Sequence, residues 1–210
     1  GFLTADSALA RENEGDGPHL IYLPEVPFSL EKFEKDVLAT MKRYGRCVVA
    51  VSEGIRDAKG ESIGARFAGG EKDSHGNVQM SGTGALGDHL AKYLKSTGKV
   101  SRVRADTFGY LQRSFPGIAS KVDQAEARAA GAAAVKAALK GELSKGTIAI
   151  LRAKGKKYQA AFAPQPIATA AKFTRSVPKA YIARNGHDVT PAFIDYARPL
   201  VGDLPHCEIF

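Results

Sequence analysis

An α/β fold built on a parallel sheet is what this sequence predicts. Three observations point there. Between residues 19 and 107, short apolar runs alternate with segments of helical period, in the order strand, helix, strand, loop, helix, strand. The runs are continuously apolar, as strands covered on both faces are. Each run also ends in a polar or charged segment, where open α/β sheets place their ligands.

Taken in order, Phe2, Leu3, Ala5, Ala8 and Leu9 recur at helical spacing. They predict a helix running to Glu14, with Gly15 as its left-handed stop. No capping residue precedes Phe2, so the chain is expected to begin inside a longer protein. His19 to Val26 (HLIYLPEV) reads as the first buried strand. Ser29 is placed to cap a helix whose apolar face is Phe33, Val37, Leu38 and Met41, with Gly45 ending it. Glu31 in its first turn and Lys42 and Arg43 in its last suit the helix dipole. Arg46 to Ser52 (RCVVAVS) reads as a second buried strand.

Gly54 to Gly82 holds seven glycines, many charges and little periodicity, which predicts a long loop, with an extended piece at Asn77 to Met80. Leu86, Leu90 and Leu94 predict a helix that Gly98 ends, and Val100 to Thr107 a third strand. Gly82-Thr-Gly-Ala-Leu-Gly87 has dinucleotide-loop spacing, but no strong strand leads into it, so it reads as a helix entry. Ile118 to Lys140 is a helix whose ten alanines imply close packing against a neighbour. Thr147 to Ala153 and Lys157 to Phe162 predict a hairpin, and Pro164, Pro166 and Pro178 punctuate a weakly patterned segment. Pro191, at a first helical position, opens a last helix to about Leu200.

The chain has 210 residues, 44% of them hydrophobic and 25% charged, and can bury a sizeable core. Its formal charge of +8 suits an anionic ligand. A basic stripe interleaved with aromatics is lacking, which argues against nucleic acid. Only Cys47 and Cys207 are present, without zinc or disulfide spacing, which points to a reducing, cytoplasmic setting. The five histidines are scattered without ligand spacing, so no metal site is expected in this stretch. No apolar run is long enough for a membrane span.

Candidate chemistry gathers at the strand ends. Glu25 follows the first strand between Pro24 and Pro27, which stiffen the turn and aim its carboxylate. Glu53 follows the second strand. After the third comes Arg104-Ala-Asp-Thr-Phe-Gly-Tyr-Leu-Gln-Arg113. Arg104 and Arg113 can each grip a phosphate through paired N–H groups. Gly109 frees the turn, and the Tyr110 hydroxyl can donate to a phosphate oxygen. Ser114-Phe-Pro-Gly117 then leads to a helix N-terminus, which favours anions. Together these groups suit a phosphorylated sugar. For each residue taken alone, a surface carboxylate, a sheet-edge ion pair or a buried tyrosine serves equally well.

As a set, GFLTADSALA, LPEVPFS and RADTFGYLQRSFPG resemble the C-terminal portion of the phosphofructokinase family, most closely its pyrophosphate-dependent branch. The resemblance covers nearly all 210 residues. It implies a phosphofructokinase-like α/β fold, with parallel sheets and flanking helices, truncated at the N-terminus. Residues 1–111 would form most of the sugar-phosphate-binding domain, and 112–210 would mostly return to an incomplete donor-binding domain. By the same resemblance Glu25 binds hydroxyls of fructose 6-phosphate, and Tyr110 and Arg113 bind its phosphate. Arg104 reaches the site of a neighbouring subunit, in a homodimer or homotetramer. Tyr110 departs from the His of many ATP-dependent relatives. The implied reaction is reversible phosphorylation of fructose 6-phosphate by pyrophosphate with Mg2+. The metal ligands, the general base and the donor loop are expected upstream of residue 1, so the chain alone is expected to be inactive. The alternatives are an ATP-dependent enzyme or a non-catalytic sugar-phosphate-binding module.

Overall fold

The computed structural model describes residues 1–66, 84–109, 115, 117–142, 146–155, 157–172 and 175–205. Two compact units emerge. One comprises Gly1–Phe115 with Ser176–Ile194, the other Pro116–Arg175 with Asp195–Phe210.

The first unit opens with helix α1 (Phe2–Asp6), which tightens into a 3-10 turn at Ser7–Ala10. The helix expected to reach Glu14 therefore stops early. Arg11 is already extended, and the Asp16 carboxylate accepts from the Glu12 and Asn13 amides at 3.0 and 2.6 Å. Such local side-chain acceptors compete with the helical ladder. Gly15 has the expected positive φ, 89°, but within a turn, not at a helix end. Ala5, Ala8 and Leu9 are buried, as their spacing predicts.

Strand β1 (Leu20–Tyr22) pairs in parallel with β2 (Val49–Val51), with Leu20 opposite Val49 and Tyr22 opposite Val51. Both are shorter than the apolar runs that announce them. β1 is buried throughout, whereas β2 is only half-buried. The other edge of β1 is not free, because Ile21 N–H donates to His187 O at 2.8 Å, from the late segment of the same unit.

Helix α2 (Leu30–Tyr44) begins and ends where its sequence dictates. Ser29 Oγ accepts the Lys32 amide at 3.2 Å, and Gly45 takes the left-handed conformation at φ 70°. Helix α3 (Ala85–Ser96) presents Leu86, Leu90 and Leu94 to the interior. These join Leu20, Tyr22, Phe28, Phe33, Val37, Ile55 and Ile63 in one core. Tyr22 meets Phe28 and Phe33 edge-on, with centroids 5.3 and 5.6 Å apart, the arrangement aromatic quadrupoles favour. Phe193 is fully buried against Phe2 and Tyr181. Burying such a ring contributes about 1.5–3 kcal/mol.

Val100 to Thr107 does not form the expected third strand. Val100 is buried and Val103 packs on the core, but the segment has no ladder partner among the described residues. An apolar run becomes a strand only where a neighbour takes its backbone groups. Within Gly54 to Gly82, residues 55–63 fold back through a bridge between Arg56 and Ser62. Asn77 to Met80 lies outside the described residues.

The second unit contains helix α4 (Lys121–Leu139), the antiparallel hairpin β3 (Gly146–Arg152) with β4 (Ala160–Pro166), the short helix α5 (Ile167–Lys172) and most of α6 (Pro191–Val201). Ser120 caps α4, accepting the Asp123 amide at 3.1 Å and donating to Leu200 O at 2.7 Å. The alanine face of α4 meets β3 and β4, yet Ala137 is its one buried side chain among the described residues.

Pro164 and Pro166 lie inside β4, not in the patternless stretch the sequence suggests. Ala153 N–H donates to Gln159 O at 2.9 Å. In an antiparallel ladder the bonded positions then recur at 161, 163 and 165. Both prolines fall between them, where no N–H is needed.

Candidate functional site

The carboxyl end of the β1–β2 pair collects the first two candidate segments. Ser52 N–H donates to Tyr22 O at 3.1 Å, carrying the parallel ladder to the strand tips. Beyond it, a β-carbon at Gly54 would sit 3.5 Å from the Pro24 side chain, so the two exits run side by side. Glu25 and Glu53 therefore leave from one edge, as the sequence implies. Val26 N–H closes a turn on Leu23 O at 3.2 Å and fixes the direction of Glu25.

The Glu25 carboxylate is held by the chain itself. Its Oε1 accepts the Val177 amide at 2.8 Å. Its Oε2 is buried and has no hydrogen-bond partner among the described residues. A β-carbon on Gly1 would lie 2.3 Å from Oε1 and 2.5 Å from Oε2. An acceptor withdrawn from water without a donor costs about 1–3 kcal/mol, more when charged. A hydroxyl brought to Oε2 would remove that cost.

Arg104 is exposed, and no hydrogen bond or ion pair joins it to Glu25 among the described residues. Its segment runs past the start of α3. A β-carbon at Gly87 would sit 3.1 Å from Ala105, and one at Gly84 would sit 3.6 Å from the Thr107 hydroxyl. Tyr110 and Arg113 lie outside the described residues, as does Ser114. Gly84, with φ 69°, caps α3, so from Gly84 onward this stretch serves as a helix entry; Gly82 and Thr83 lie outside the described residues.

Sequence reasoning misses a polar group beneath β1. Tyr22 donates to Asp36 Oδ2 at 2.8 Å, and Lys32 Nζ reaches the same oxygen at 2.5 Å. Burial, then the Asp36 carboxylate, drives the Tyr22 phenol well above its ordinary range. A cavity of about 420 Å³ opens nearby, lined by Arg11, His19, Asp36, Tyr44 and His187 among others. It lies at the amino end of β1, whereas Glu25 follows the carboxyl end. Three ion pairs lie in or beside its lining, Arg11 with Asp188, Asp36 with Lys32 and Arg43 with Glu14, while Arg11 Nη2, His19 Nε2 and His187 Nδ1 are buried without a hydrogen-bond partner among the described residues. The Glu25 edge is preferred because it lies beyond the carboxyl ends of the parallel pair, where open α/β sheets place their ligands. The alternation of a strand could have flagged Tyr22; nothing local foretells that Asp36 faces it.

No cluster of three or more His, Cys, Asp or Glu that could hold a metal ion occurs among the described residues. No helix among them is long and apolar enough to cross a membrane.

Comparison with known proteins gives a consistent answer. Residues 1–138 match the phosphofructokinase family. The chain is 51% identical over 203 residues to pyrophosphate–fructose 6-phosphate 1-phosphotransferase of Rhodospirillum rubrum, covering 96% of this chain and 50% of that protein. The enzyme of the same name from Xanthomonas campestris is 35% identical over 208 residues, covering 98% of this chain and 48% of that protein. Among solved structures, the pyrophosphate-dependent phosphofructokinase from Marinobacter aquaeolei superposes with a TM-score of 0.76 at 29% identity. That match covers 99% of this chain and 46% of the solved one. The chain thus spans about half the length of the relatives it matches.

Proposed function

Because the chain belongs to the phosphofructokinase family, we propose that it supplies sugar-phosphate-binding residues to a pyrophosphate-dependent 6-phosphofructokinase. The observation that carries this reading is the Glu25 carboxylate, with one oxygen held and the other short of a donor at the edge of a parallel strand pair. Fructose 6-phosphate offers hydroxyls for such an acceptor. Its phosphate suits the guanidinium and phenol groups that Arg113 and Tyr110 bring. Arg104, exposed and unengaged with Glu25, suits a role in completing a neighbouring subunit's site within a homodimer or homotetramer.

In the reaction, the 1-hydroxyl oxygen of fructose 6-phosphate bonds to one phosphorus of pyrophosphate, the bridging P–O bond breaks, and phosphate leaves. The hydroxyl proton passes to a general base. Such transfers depend on alignment and charge stabilisation. The part played by these 210 residues is alignment of the sugar. Mg2+ neutralises charge on the transferred group in such chemistry. Its ligands, the base and the donor loop are proposed to belong to the half of the relatives' length that this chain does not match.

Calorimetric titration of the chain with fructose 6-phosphate tests the reading. Arg113→Ala should abolish or strongly weaken binding, and the chain alone should show no turnover with pyrophosphate and Mg2+. Unchanged affinity in Arg113→Ala would remove the phosphate-binding role. Measurable turnover would remove the division of labour.

A further inference from the structure

Two groups remote in sequence converge on Glu25. The Val177 amide reaches its carboxylate across 152 residues, at 2.8 Å. Val177 is 3% exposed and Glu25 half-buried, so this charge-assisted hydrogen bond is partly shielded from competing water. From the other side comes Gly1, whose backbone leaves no room for a β-carbon beside either carboxylate oxygen. The Ala5 amide donates to Gly1 O at 2.9 Å, which ties that residue into the first turn of α1.

We propose that the Val177 amide and the bare backbone at position 1 are positioning elements for Glu25. They set the carboxylate so that Oε2 alone is left to accept a sugar hydroxyl. This inference rests on the sugar-binding reading above. A backbone amide is a rigid donor, fixed here by a buried side chain and by Pro178 after it. Position 1 works by exclusion. The atoms that a β-carbon would strike are the tip of a flexible side chain. In Gly1→Ala the carboxylate would therefore yield, while the fold stays in place. The substitution should change recognition with little change in stability.

The test uses the 210-residue chain and four variants, Glu25→Gln, Gly1→Ala, Val177→Pro and Val177→Ala. Each is titrated with fructose 6-phosphate and, separately, with inorganic phosphate. NMR follows the Val177 amide proton as the Glu25 carboxyl ionises. Gly1→Ala and Val177→Pro should each weaken fructose 6-phosphate binding roughly tenfold, the scale of one hydrogen bond to a charged group. Phosphate affinity should not change, and neither substitution should add to Glu25→Gln. Val177→Ala keeps the amide donor and loses only side-chain packing, so it should bind fructose 6-phosphate more tightly than Val177→Pro does. The Val177 amide proton should follow the carboxyl ionisation in the parent and lose that response in Glu25→Gln. An unresponsive amide, or binding losses that add to that of Glu25→Gln, would overturn the proposal. Failure of the sugar-binding reading would look different: Glu25→Gln, or the parent itself, would show no Glu25-dependent sugar affinity while the amide still reported on the carboxylate. If Val177→Pro fails to fold, Gly1→Ala and the amide titration still decide the matter.

Discussion

Arg11 and Asp188 grip each other across 177 residues, with the guanidinium Nη1 donating to Oδ1 at 2.9 Å and to Oδ2 at 3.2 Å. The same arginine donates through Nε to Pro18 O at 2.6 Å, and the same aspartate accepts the Val189 amide at 2.8 Å. Both side chains keep about a quarter of their surface exposed, so the pair is neither a free surface contact nor a sealed one. It ties the N-terminal segment to the late return of the chain, the return that also brings Val177 to Glu25.

Asp188→Ala should therefore lower the stability of the first unit by about 1–3 kcal/mol, because it strands a guanidinium as well as an amide. Urea unfolding followed by tyrosine fluorescence measures this. Arg11→Lys should recover little, since an ammonium cannot reproduce both contacts. A loss below a few tenths of a kcal/mol would mean the late segment is held by its other contacts, among them buried Phe193 and the Ile21–His187 and Val177–Glu25 hydrogen bonds.

Helix α2 gives a second, local expectation. Ser29 accepts the Lys32 amide and donates to Glu31 Oε2 at 2.7 Å. That bond holds the Glu31 carboxyl below its ordinary value. Ser29→Ala should cost about 1 kcal/mol. At the far end Gly45→Ala meets no neighbour, but must adopt φ 70°, at a cost of roughly 1–2 kcal/mol. The two ends share no contact, so their effects on the unfolding midpoint should add.

These contrasts show what the chain discloses residue by residue. α2 is legible because its start, its stop and its apolar face all lie within seventeen consecutive residues, Ser29 to Gly45. The hairpin is legible in its first strand only: the second, expected over Lys157 to Phe162, runs instead from Ala160 to Pro166. Val100 to Thr107 misleads because strand formation depends on a partner, and composition cannot reveal whether one arrives. The helix expected through Glu14 fails because Asp16 captures two amides, a competition that spacing of apolar residues does not register. At the site, the location of Glu25 follows from its proline-flanked strand end. Its holders, Gly1 and Val177, do not, because a backbone amide and a missing side chain leave no mark in composition.

Cys47 offers a test by pH. Burial pushes its thiol from about 9 up to about 11, and a hydrogen bond with Thr40 offsets only part of this. The thiolate is the reactive form. In a Cys207→Ser background, Cys47 should react with a disulfide reagent at pH 8 about a hundredfold more slowly than in the urea-unfolded chain, the factor two pKa units imply. The sign for stability follows directly. A raised acid favours the fold while protonated, so its contribution is complete below about pH 9 and is lost as pH rises through about 11. Rapid labelling at pH 8 would show that the thiol is not sheltered as described.

The last expectation concerns α4, where Val135 and Leu139 stand 61% and 83% exposed. Four residues apart, they share one helix face. Ile150, Leu151 and Ile167 in the same unit are also more than two-fifths exposed. Ordinary soluble surfaces scatter such side chains singly, and several in one small unit favour association. The chain should bind an apolar dye and self-associate with rising concentration. Val135→Lys with Leu139→Lys should reduce both effects without lowering the unfolding midpoint, because neither side chain is buried and lysine is a good helix former. Analytical ultracentrifugation across a concentration series reads the outcome. Equal association by the parent and the double variant would place the sticky surface away from α4.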